Sequence, residues 1–199
     1  MFAAAGCSES TPSTTSETTT TPPAASPAAA VQLGVISGKA QANAIVVLEP
    51  KTPREFPPGD AAVMDQVSLT FTPAMLFART GQPVEFRNSD DTLHNVHVGN
   101  TDTREPSFNV AIPTGETYRY TFTKDGFYHV ACDIHPAMSA EILATSTPFA
   151  TTTDAEGHFS LADVPPGEYV LRVYAGSSRT ARDVEIKAGV NTVAGPGES

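Results

Sequence analysis

Tryptophan is absent from this chain, cysteine occurs twice, and basic residues are scarce: 12 Lys and Arg stand against 22 Asp and Glu, a net charge of −10. That balance argues against nucleic acid as a partner, because neutralising phosphates requires a basic surface. Nowhere does the sequence approach the roughly 20 consecutive apolar residues of a membrane-spanning helix, so any membrane attachment is expected through an anchor rather than a span. Gly-x-Ser-x-Gly, a phosphate-cradling glycine loop and His-Glu-x-x-His are all missing, which removes common hydrolase, nucleotide-binding and zinc-protease signatures. No helical pattern persists for four turns.

What remains is β in character. With 17 Pro and 14 Gly, the sequence breaks into short apolar runs bounded by turn residues. Candidate strands are Ala44–Leu48, Val67–Phe71, Met75–Ala78, Val84–Phe86, Asn95–Val98, Tyr118–Phe122, Phe127–Ala131 and Glu141–Ala144, then His158–Leu161, Tyr169–Tyr174 and Ala181–Ile186. Short strands at this spacing predict β-sandwiches. Ser8–Ala30 is almost entirely Ser, Thr, Pro, Ala and Glu. It buries too little apolar surface to offset chain entropy and is expected to be a disordered tether. A flexible chain of this length averages roughly 25–30 Å end to end.

Chemistry concentrates in Cys132-Asp133-Ile134-His135-Pro136-Ala137-Met138, downstream of Asp91-Thr92-Leu93-His94-Asn95-Val96. One thiolate, two imidazoles and one thioether form the ligand set of a mononuclear blue-copper site: the soft sulfur holds Cu(I), imidazoles suit both oxidation states, and a weak axial Met tunes the potential. Tyr128–Cys132 reads as a strand ending at the thiol, with the next six residues a tight loop that Pro136 stiffens. His94 must arrive from a distant segment that turns through Asn88-Ser89-Asp90-Asp91. Cys-x-x-His alone would also suit zinc or chance; the whole loop together with the upstream His-Asn-Val is far more specific.

From about Asp65 to Leu143 the sequence resembles a cupredoxin of the plastocyanin and amicyanin group. The likeness rests on Phe71-Thr72-Pro73, Gly81–Asn88, His94-Asn95-Val96, Gly126-Phe127-Tyr128 and the Cys132 loop. The resemblance implies a Greek-key β-sandwich with one type 1 copper ion. His94, Cys132 and His135 would be equatorial ligands and Met138 the axial one, with Asn95 hydrogen-bonding the loop. Pro136 and Ala137 would belong to an apolar ring around the His135 edge. Single-electron transfer between a redox-protein donor and acceptor would follow, without catalysis, and a monomer is expected. Within residues 60–144, five Lys and Arg face eleven Asp and Glu; such acidity either steers a basic redox partner or simply solubilises the domain.

The tail carries a second resemblance. Thr153–Leu161 and Val164–Val173 are similar to a carboxypeptidase regulatory-like domain, a small transthyretin-like β-sandwich. The opening strands expected of such a domain are missing just before Phe149 but present upstream in Gly34–Leu48. The expected organisation is therefore residues 1–30 as start and linker, residues 31–58 with 147–195 as one split sandwich, and residues 59–146 as the inserted cupredoxin. Insertion succeeds where loop ends lie close together, and the tail alone would make a poor domain. The alternative is an accessory hairpin layer packed on the cupredoxin.

Ala4-Ala5-Gly6-Cys7 resembles a bacterial lipobox. It implies lipidation at Cys7, export to the periplasm or cell surface, and a bacterial membrane as anchor. The charged start and apolar stretch of an export signal do not accompany it, so either the true start is expected upstream or the chain has been trimmed; otherwise Cys7 is incidental. A Cys7–Cys132 disulfide is a lesser alternative. Among the other histidines, strand parity places His94, Val96 and Val98 on one face and His97 on the other, so His97 should face solvent. His129 reads as structural and His158 as exposed. Asp90 and Asp91 read as turn residues rather than a catalytic pair. Two other functions stay open: a copper carrier or store without redox turnover, and an adhesion or carbohydrate-binding sandwich with a vestigial metal site.

Overall fold

The computed structural model describes residues 32–57 and 59–196. Cys7 and the Ser8–Ala30 tether lie outside the described residues. Sixteen strands and no helix are found among the described residues. In chain order they are β1 (Gly34–Lys39), β2 (Ile45–Pro50), β3 (Ala62–Val67), β4 (Thr70–Thr72), β5 (Met75–Arg79), β6 (Pro83–Asn88), β7 (His94–Asn100) and β8 (Pro106–Ile112). They continue with β9 (Thr117–Thr121), β10 (Gly126–Ala131), β11 (Ser139–Thr145), β12 (Ala150–Thr152), β13 (His158–Val164), β14 (Gly167–Ala175), β15 (Ser178–Ile186) and β16 (Gly189–Ala194).

The protein is all-β, with four sheets around two apolar cores. Sheets β4-β3-β6-β9 and β5-β11-β10-β7-β8 enclose the first core, built from Met64, Phe86, Val96, Val98, Val130 and Ile142 among others. Its strands alternate as a half-buried sheet requires: in β7, His94, Val96 and Val98 are buried and His97 is exposed. An aromatic chain, Phe108–Tyr120–Phe122–Tyr128, runs through it with successive centroids 4.6, 5.0 and 4.5 Å apart, tilted and edge-on geometries that suit ring quadrupoles.

Sheets β13-β1-β16 and β12-β2-β14-β15 enclose the second core, where Ile36, Val46, Leu48, Tyr169, Leu171 and Val173 pack together. Strands β1 and β2 thus share sheets with strands more than a hundred residues later. The chain leaves this sandwich after Pro50 and returns beside it, Ala150 pairing with Val47. Thr147 Oγ1 donates to the Leu48 carbonyl at 2.9 Å, and the Phe56 and Phe149 rings meet edge-on at the crossing. Between the sandwiches, Arg179 pairs with Asp102 at 2.6 Å and lies over the Phe127 and Tyr174 rings.

One strand expectation needs correction. Val67–Phe71 is not continuous: β3 ends at Val67, β4 starts at Thr70, and Ser68 and Leu69 form the tip of a hairpin with φ of 53° and 57°. Such a turn normally selects Asn or Gly, so no punctuation was visible in Val-Ser-Leu-Thr-Phe. Contacts from a distant residue hold the turn instead. Strands β3, β8, β12 and β16 also extend the sheets beyond the segments expected; β8, β12 and β16 are sheet edges, where apolar patterning is weaker.

Candidate metal centre

Strand β7 starts at His94, and β10 delivers Cys132 immediately after its last residue. Val98 pairs with Val130 and His97 with Ala131, so strand register carries the His94 end of β7 to the Cys132 end of β10. The loop to β11 is a closed turn: Met138 N donates to the His135 carbonyl at 2.9 Å, and Cys132 N donates to the Met138 carbonyl at 3.2 Å. His135 is thereby folded back over the thiol.

Three donor atoms converge. Cys132 Sγ is 3.9 Å from His94 Nδ1 and 3.8 Å from His135 Nδ1, and the two imidazole nitrogens are 2.9 Å apart. No other group of three or more His, Cys, Asp or Glu side chains among the described residues gathers in this way. His94 and Cys132 are buried, whereas His135 is half-buried. Met138 is buried in the same apolar core as Cys132. In zinc proteins a shared ion lies about 2.0–2.1 Å from imidazole nitrogen and about 2.3 Å from thiolate sulfur. Those bonds together span more than either N···S separation, so the three residues fit one bound ion. A soft thiolate with two imidazoles favours copper or zinc over hard cations.

Asn95 ties the two segments together. Its Oδ1 accepts from Asp133 N at 2.7 Å, Ile134 N at 3.3 Å and the Cys132 thiol at 3.3 Å, and its Nδ2 donates to Asn109 Oδ1 and Asp133 Oδ2. Asp133 also accepts from Asn109 and faces His97 at 3.1 Å. The His97 contact, then the Asn109 hydrogen bond, hold its carboxyl below the usual range. Pro136 and Ala137 are exposed after His135, as are Ile134 just before it and Leu93 just before His94. His97 and His129 instead line an open groove of about 420 Å³ that includes none of the three donor residues. His158 is exposed in the second sandwich. Cys132 is a free thiol.

Sequence reasoning missed Asp90, which it read only as a turn residue. Asp90 Oδ2 lies 2.8 Å from His94 Nε2. A carboxylate only accepts, so the contact calls for a ring proton on Nε2 and leaves Nδ1 as the nitrogen facing Cys132 and His135. The Leu69 N–H is the foremost cause of a carboxyl held below its ordinary value at Asp90. The four-residue interval between Asp90 and His94 is the one trace of this contact in the sequence.

Comparison with known proteins agrees with this geometry. Residues 60–144 match the family of copper binding proteins of the plastocyanin/azurin type, and residues 133–194 match the carboxypeptidase regulatory-like domain. One stretch of the chain is therefore similar to plastocyanin/azurin-type copper-binding proteins, and an overlapping later stretch to carboxypeptidase regulatory-like domains. The second match begins inside the first sandwich and omits β1 and β2, which strand pairing places in the second. Among solved structures, a Cu-containing nitrite reductase from Thermus scotoductus SA-01 is 32% identical with a TM-score of 0.40, covering 44% of this chain and 23% of the reductase. The chain thus spans about a quarter of that enzyme. A reduced Cu(I) amicyanin mutant is 22% identical, with a TM-score of 0.39 and coverage of 50% of this chain and 97% of amicyanin. A purple cupredoxin from Nitrosopumilus maritimus is 20% identical, with a TM-score of 0.38 and coverage of 42% and 99%. No curated protein matches the chain.

Proposed function

We propose that this protein is a blue-copper electron carrier, holding one type 1 copper ion on His94, Cys132 and His135 with Met138 as the axial ligand. The observation that carries this reading is the preassembled donor triangle, with separations of 2.9, 3.8 and 3.9 Å between atoms from two distant segments. When bound, copper supplies a one-electron couple between Cu(I) and Cu(II). The protein's part is to keep the ligands in one arrangement for both oxidation states. Asn95 does so by clamping the Cys132 loop at two backbone N–H groups, and the surrounding core excludes water.

His135 is the one half-buried member of the triangle and marks the surface through which electrons enter and leave. Exposed Pro136 and Ala137 beside it offer an apolar contact for a redox-protein donor and acceptor. The role is transfer rather than catalysis. The protein acts as an exported monomer in the periplasm or at the cell surface, tethered through a lipid on Cys7. Film voltammetry of the copper-loaded protein, with stopped-flow oxidation by an outer-sphere reagent, tests this. Reversible, rapid one-electron cycling is the expected result; copper that binds but cycles only slowly and irreversibly would leave a carrier or store instead.

A further inference from the structure

The Ser68-Leu69 hairpin tip and the buried face of His94 meet at a single side chain. Asp90 Oδ1 accepts the Ser68 N–H at 2.5 Å, while Oδ2 accepts the Leu69 N–H at 2.9 Å and faces His94 Nε2 at 2.8 Å. Its side chain is only 13% exposed and that of His94 is fully buried. Both turn residues adopt left-handed backbone conformations without being glycine, and consecutive N–H groups aimed together form a nest for an anion. The loop carrying Asp90 is itself fixed: Asp90 N donates to Asn88 Oδ1 at 3.0 Å, and Asn88 Nδ2 donates to the carbonyls of Thr92 and Ile112, each at 2.8 Å. A disfavoured turn is thus maintained where its two N–H groups grip the carboxylate behind the ring.

We propose that Asp90 is a positioning and tuning residue for His94: gripped by the Ser68–Leu69 nest, its carboxylate locks the ring with Nδ1 bare toward the pocket and adds negative charge that favours the more oxidised ion. The tuning half rests on the copper reading above; the locking half belongs to the metal-free protein. Partners that orient a ligating imidazole typically change metal affinity by about 10–100-fold when removed. Nearby negative charge stabilises Cu(II) over Cu(I), because the oxidised site carries one more positive charge.

Two measurements test this. In the metal-free full chain, nitrogen-15 NMR of the His94 ring should find the proton on Nε2; a proton on Nδ1 would overturn the locking role whether or not copper binds. In the copper-loaded protein, Asp90→Asn keeps the shape and an oxygen acceptor but removes the charge. It should raise the ratio of Cu(I) to Cu(II) affinity about tenfold, equivalent to an upward shift of about 59 mV for a one-electron couple, and Asp90→Glu should return it toward the parent value. A lower melting temperature with an unchanged affinity ratio would reduce Asp90 to a tie between hairpin and loop and overturn the tuning role. Failure of the parent protein to develop a thiolate–Cu(II) band would instead sink the copper reading, while the NMR result still decides the locking role.

Discussion

The two sandwiches are made from the same kind of strand yet bury different things. Gln66, Glu85, Asn88, His94 and Asn95 are all buried in the first, whereas the polar side chains buried at the junction and in the second are Thr145, Thr147 and Thr153. Burying polar groups costs free energy unless they are partnered. In the first sandwich most of them hold one another or a loop: Asn88 and Asn95 fasten the His94 and Cys132 segments, and Glu85 receives Arg87 and Arg119. The second keeps a nearly pure apolar core, and its Thr153 hydroxyl serves only to bridge nearby backbone at Gln41 and Ala44. The candidate metal ligands lie where burial departs from the apolar rule, and the second sandwich has no comparable buried polar cluster among the described residues.

This contrast can be broken most severely at the thiol. Cys132→Ser, a near-isosteric change, should abolish the thiolate–Cu(II) absorption entirely while leaving the far-ultraviolet circular dichroism unchanged. Persistence of the band would remove Cys132 from the site. The converse experiment lies in the second core. Leu171 is fully buried, and Leu171→Ala should cost about 2–5 kcal/mol in thermal or urea unfolding while the copper spectrum below the transition stays that of the parent. A changed spectrum would mean that the second sandwich shapes the site.

Asn95→Ala removes the acceptor for two backbone N–H groups at once. A loss of about 1–3 kcal/mol is expected, with faster removal of copper by a chelator; unchanged release would show that Asn95 does not restrain the loop. The smallest effect concerns pH. The Arg87 guanidinium, followed by that of Arg119, holds the Glu85 carboxyl below its ordinary value. A depressed folded-state pKa contributes stability that is present above the unfolded value, about 4.3, and is lost as pH falls toward the folded one. Stability of the metal-free protein should therefore decline below about pH 4, and Glu85→Gln should flatten that decline. An unaltered slope would assign it to other carboxylates.

How far the site could be read beforehand depended on where its parts lie. Cys132, His135 and Met138 occupy one short loop, so spacing alone brings them together. His94 could be added because Val96 and Val98 mark the inward face of β7 and place the exposed His97 on the other, although Asn95 on that second face is buried too. Asp90 was not legible in the same way. Its role arises from contacts to Ser68 and Leu69, 22 and 21 residues away, and those contacts stand in for the Gly or Asn that would have announced the turn. β8 escaped notice because it opens with Pro106 and lies at a sheet edge, although Phe108, Val110 and Ile112 alternate inward. Patterning alone marked Ala44–Leu48 as a strand, but the place of β1 and β2 in the second sandwich could be sensed only through the resemblance of Gly34–Leu48 to a missing opening, since local patterning does not say with which distant strands they will pair.

The central claim is that His94, Cys132 and His135 converge on one redox-active copper ion. Its most direct test is the visible absorption spectrum of the metal-free protein titrated with Cu(II). The account predicts an intense band toward the red end of the visible that saturates at one ion per chain. Saturable binding with only weak, ligand-field absorption, or no binding at all, would contradict it.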